Sequence, residues 1–125
     1  YFFGHLTHLS GQALNNGGLY PVEDTTVATL QFATGIIGTA TWCYVAGYEL
    51  DEVTITGTSG KMVFSGTGIT DVTLNDTVHE MMDPEHVGLA FIQAVVDELN
   101  GKSKSPADVV GAALVTHWFE KLLSN

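Results

Sequence analysis

At 125 residues the chain has the length of one domain with room for a core. Its formal net charge is −10, from fourteen Asp and Glu against four Lys and no Arg. Such a field argues against nucleic-acid binding, and the lack of Arg removes the planar clamp for carboxylates and phosphates, so neutral polyhydroxylated ligands are favoured over anionic ones. The composition is 45% hydrophobic and only 14% charged, against a usual charged share of roughly a quarter. Either a domain parted from a partner surface or a β-rich domain with a Thr-rich exterior fits that balance. Cys43 is the single cysteine, which excludes an internal disulfide and a cysteine-based zinc site. No run of eighteen apolar residues and no signal peptide is present. The opening run Tyr1-Phe2-Phe3, without Met, is expected to come from inside a longer polypeptide.

Leu6 to Leu14 has the pattern of a first strand, followed by the turn cluster Asn15-Asn16-Gly17-Gly18. Asp24 to Ser65 reads as four strands in two tight hairpins, the first turning at Thr34-Gly35 and the second near Ser59-Gly60. A two-residue loop at Thr34-Gly35 would set Phe32 opposite Ile37, Leu30 opposite Thr39 and Ala28 opposite Thr41. Leu30, Phe32 and Ile37 would then form the face beneath the helices. Gln31, Trp42 and Tyr44 would share the other face with Val27, Thr29 and Ala40, half polar and half aromatic, as suits a pocket or a subunit contact. A loop one residue longer shifts this pairing. In the second hairpin Val53, Ile55 and Phe64 share a face, with Gly57 and Gly60 bracketing Thr58-Ser59. A further hairpin is expected around Asn75-Asp76, from Asp71–Leu74 and Val78–Met81.

Two amphipathic helices follow from about Pro84 to the end. Asp83 is the expected N-cap of the first, with Pro84 at its first position and Val87, Phe91, Val95 and Leu99 as its stripe. Asn100-Gly101 stops it. Ser105-Pro106 opens the second, with Asp108 in its first turn and a stripe of Val110, Leu114, Trp118 and Leu122. Strands first and helices last make an α+β domain: an open, mostly antiparallel sheet with two C-terminal helices packed on one face, over residues 1–125.

Chemistry is sparse. Gly66-Thr67-Gly68 is a lone GxG without a following helix, so it fails the context of a dinucleotide fingerprint. His5, His8, His79, His86 and His117 show no metal-ligand spacing, His5 and His8 pointing to opposite faces of a strand and His86 lying in a first helical turn. Glu23-Asp24 and Asp51-Glu52 are neighbouring carboxylates that diverge on a strand, and turn chemistry is their commoner role. Each pair remains a candidate acceptor for a hydroxyl-rich ligand, Glu23 and Asp24 being retained as pocket candidates. Gln31, Trp42 and Tyr44 are candidate pocket or interface residues, since aromatic faces suit sugars and ring substrates. No catalytic set can be assembled, and neither a metal site nor a cofactor site is expected within the chain.

The order T-L-x-F-x-x-G-x-x-G (Thr29 to Gly38), D-E-V-T-I-T-G-T-S-G-K-M (Asp51 to Met62), and a Pro-led helix ending D-E-L-N-G (Pro84 to Gly101) resembles the glucose–fructose oxidoreductase/inositol dehydrogenase (Gfo/Idh/MocA) family. Gly11 to Asp24 is most similar to members acting on sugars or trans-dihydrodiols. The resemblance implies a parent enzyme of two domains, an N-terminal Rossmann domain holding NAD or NADP and a C-terminal, glyceraldehyde-3-phosphate dehydrogenase-like domain closing the substrate site. This chain looks like most of the second, inactive alone. The family's Glu-Lys-Pro and Asp-x-x-x-His motifs are absent here, so no catalytic residue carries over. The resemblance further implies a cytoplasmic enzyme, a small sugar-like or diol substrate, and a homo-oligomer built through the sheet face. The alternative is a non-enzymatic acidic module that self-associates or binds carbohydrate.

Overall fold

The computed structural model describes residues 2–68, 71–82, 86, 88–106 and 108–124. Among the described residues seven antiparallel strands precede two helices, an α+β architecture as expected. The strands hydrogen-bond in two sheets, and the chain forms two compact units, residues 1–47 with 105–125, and residues 48–104.

The first unit holds β1 (Leu6–Leu14), β2 (Thr25–Phe32) and β3 (Ile37–Cys43) in sequential antiparallel order, with the last helix, α2 (Val109–Leu123), packed on β1. The β2–β3 turn departs from the sequence expectation. Phe32 pairs across to Ile36, its amide donating to the Ile36 carbonyl at 2.9 Å, while Gly35 N–H donates to the Phe32 carbonyl at 2.9 Å. The loop therefore contains three residues, Ala33, Thr34 and Gly35, with Gly35 at φ +85°. A glycine in that left-handed position is what a three-residue hairpin loop requires. The extra residue shifts the pairing to Leu30 opposite Gly38, Ala28 opposite Ala40 and Thr26 opposite Trp42. Directly opposed residues share a face. Trp42 thus lies on the side of Leu30 and Ala28, the side expected for Phe32 but not for Trp42, and Gln31 lies on the other.

That inner side is continued by Leu9 opposite Leu30 and Gly11 opposite Ala28. Ala28 is 1% exposed, and α2 closes on the sheet through Leu122, 2% exposed. Gly11 permits the close approach: a β-carbon there would meet the Val27 carbonyl oxygen and stand 2.9 Å from Leu122 Cδ1. Asp108 is the N-cap of α2 rather than a first-turn residue. Its backbone is extended and its carboxylate accepts the Gly111 N–H at 2.7 Å.

The second unit holds β4 (Val53–Gly57), β5 (Gly60–Phe64), β6 (Val72–Leu74), β7 (Thr77–His79) and α1 (Leu89–Leu99). Here the expected register stands: Val53 opposes Phe64, Ile55 opposes Met62, and Gly57 opposes Gly60 around Thr58-Ser59. Asn75 and Asp76, at φ +48° and +68°, make the β6–β7 turn. The Asn75 side chain accepts the Lys61 N–H at 2.8 Å, tying one hairpin tip to the next. The Asp83 cap, Pro84 and Val87 lie outside the described residues, and the described helix begins at Leu89, so His86 precedes it. Its end is as expected: Gly101 N–H donates to the Glu98 carbonyl and Lys102 N–H to the Asp97 carbonyl, the paired bonds of a Schellman stop with Gly101 at φ +69°.

Candidate functional site

The three-stranded sheet of the first unit presents two unlike surfaces, and the candidate residues divide between them. On the inner side a groove of about 320 Å³ remains between the sheet and α2. Leu9, Leu30 and Phe32 line its floor, and Leu114, Trp118 and Phe119 its helical wall. Trp42, 39% exposed, reaches into it and meets the Phe119 ring at 6.3 Å between centroids. At one end Phe3 packs edge-on against Phe32 at 5.3 Å, and Ala33 N–H donates to the His5 carbonyl at 2.9 Å. His5 is the one titratable side chain among the residues lining the groove. Apolar walls with a single polar edge can hold ring or hydrocarbon surface.

The outer side is different in kind. Its rows run His8–Gln31–Ile37, Ser10–Thr29–Thr39, Gln12–Val27–Thr41 and Leu14–Thr25–Cys43. No Asp, Glu or Lys occurs in them, in a chain of net charge −10. Ile37 is 78% exposed, and Val27 and Leu14 are also exposed. The Ser10 and Thr29 hydroxyls bond each other at 2.8 Å, and Ser10, Gln12, Val27 and Thr29 border a shallow depression of about 260 Å³. Gln31 belongs to this surface. Its expected companions do not: Trp42 is on the inner side, and Tyr44 follows the end of β3 with its ring exposed and its N–H donating to the Asp24 carbonyl at 2.9 Å.

Asp24 is 1% exposed and engaged within the fold. Its carboxylate accepts the Asn16 N–H at 3.0 Å, the Gly17 N–H at 2.7 Å and the Thr25 hydroxyl at 2.8 Å, which folds the 15–24 connection back onto the strands. These bonds, the Asn16 amide foremost, hold its pKa below the usual carboxylate range against the opposing effect of desolvation. Glu23, next to it, is exposed. The adjacent carboxylates are thus separated in role.

In the second unit Asp51, whose commoner expected role was turn chemistry, is engaged in a similar way, by donors that sequence reading did not identify. The Asp51 carboxylate accepts the Ser65 hydroxyl, the Thr67 hydroxyl at 2.6 Å, and the amides of Thr67 at 2.8 Å and Gly66 at 3.0 Å. Those donors, the Ser65 hydroxyl first, hold Asp51 well below the ordinary carboxylate range. The alternation of Ser, Gly, Thr and Gly after β5 was the available signal, since small and hydroxylated residues free their amides to converge on an anion. The consequence for cofactor binding is direct. In the one GxG stretch of the chain, the Gly66 and Thr67 amides are committed to an internal carboxylate, so the segment does not fit a dinucleotide phosphate. Among the described residues no cluster of three His, Cys, Asp or Glu could hold a metal ion, and no helix is long and apolar enough to cross a membrane.

A family model described as the GFO/IDH/MocA C-terminal domain matches residues 1–63, just over half of the chain. Oxidoreductase P35 of Formosa agariphila is 33% identical over 89 residues, which cover 69% of this chain and 28% of that protein. The crystal structure of biliverdin reductase in complex with biliverdin and NADP+, from Synechocystis sp. PCC 6803, is similar at a TM-score of 0.63 and 21% identity. That likeness covers 90% of this chain and 37% of the reductase, and it shows the fold. The match thus takes in little more than a quarter of the curated relative and under two-fifths of the solved structure.

Proposed function

Because the chain belongs to the GFO/IDH/MocA C-terminal domain family, we propose that it is the substrate-shaping and subunit-contacting domain of an NAD(P)-dependent oxidoreductase. The family match carries this reading. The named relative is an oxidoreductase, and the structural neighbour is a reductase solved with NADP+. In this proposal the nicotinamide cofactor and the proton-transferring residues belong to a Rossmann domain elsewhere in the parent polypeptide, in accord with a GxG segment whose amides are already taken. The parent works in the cytoplasm on a small neutral substrate, a sugar-like polyol or a cyclic diol. The net charge of −10 and the lack of Arg disfavour anionic alternatives and nucleic acid.

Within the domain, the outer sheet surface is the subunit contact. Two copies of a strongly acidic chain approach with least repulsion where neither carries charge, and that surface joins exposed Ile37, Val27 and Leu14 with uncharged hydroxyl and amide groups. Gln31 is therefore an interface residue. Tyr44 and Glu23, both exposed, and Trp42, which reaches into the apolar groove, are the residues left to meet substrate, because the Asp24 carboxylate is engaged within the fold.

The test is spectrophotometric. The isolated chain, mixed with NADPH or NADP+ and a panel of sugars and cyclic diols, gives no change in nicotinamide absorbance. Turnover by the chain alone refutes the proposal. Tight carbohydrate binding by the chain alone, read by calorimetry, favours instead a non-enzymatic carbohydrate-binding module.

A further inference from the structure

We draw no further inference here: the strongest candidate, the apolar groove between α2 and the three-stranded sheet, carries nothing because nothing in the structure shows what covers it.

Discussion

Leu122 Cδ1 lies 2.9 Å from where a β-carbon on Gly11 would stand, so the helix is seated by a residue that has no side chain. The contact joins two positions more than a hundred residues apart in sequence. Two substitutions test it from opposite sides. Leu122→Ala empties the seat and costs about 2–5 kcal/mol, the range for a buried leucine cut to alanine. Gly11→Ala overfills it and costs about 1–3 kcal/mol, because the obstacle includes backbone that must move. Urea unfolding curves report both. Equal stability of Gly11→Ala and the parent sequence would show that the helix does not rest there.

Gly35 gives a second prediction. At φ +85° a β-carbon is strained, so Gly35→Ala lowers stability by about 1 kcal/mol. Gly35→Asn costs less, since asparagine tolerates the left-handed region better than other side chains. Thermal melting of the two variants should rank them in that order, and an alanine variant at least as stable as the asparagine one contradicts the turn geometry.

Asp51 makes stability depend on acid. Its folded pKa lies below the unfolded value, so the stabilisation its ionised form provides is fully present above about pH 4. It is lost as the pH falls from there toward the folded value. Asp51→Asn abolishes that part of the dependence. The gap in urea midpoint between the parent sequence and the variant should be wide at neutral pH and narrow as the solution is acidified. A gap that stays constant down the acid limb would show that the four donors do not favour the charged carboxylate.

The proposed subunit contact is tested in the full-length parent. Thr39→Lys puts a long cation on the uncharged surface at an exposed position, so the fold is kept and self-association is lost. Light scattering is expected to show a smaller assembly for the variant with unchanged far-ultraviolet circular dichroism. A parent enzyme that is monomeric at all concentrations, or a variant whose assembly is unaltered, overturns the assignment of that surface.

Much of the fold was legible because local chemistry and global pairing agree. Gly57 and Gly60 can only bracket a tight turn, Asn75-Asp76 tolerates two left-handed residues in succession, and Asn100-Gly101 ends a helix; each stands as read. The face of Trp42 was not legible. Thr34-Gly35 serves equally as a two-residue turn or as the latter part of a three-residue one, and the composition is the same in both. Only packing decides, by drawing Trp42 toward Phe119 of α2. Asp24 and Asp51 were hidden for another reason. The amides that reach Asp24 lie seven and eight residues before it and the donors to Asp51 fourteen to sixteen residues after it, and nothing in a carboxylate's neighbours announces which distant amides will reach it.

Gly35 also has a consequence for the identity of the sheet. Because strand side chains alternate, a one-residue slip of β3 against β2 would turn β3 inside out, sending indole to solvent and hydroxyls into oil. Thr34→Asn, which strengthens the shorter turn, pulls toward that inverted strand. The extra residue at the bend is what tells this domain its inside from its outside.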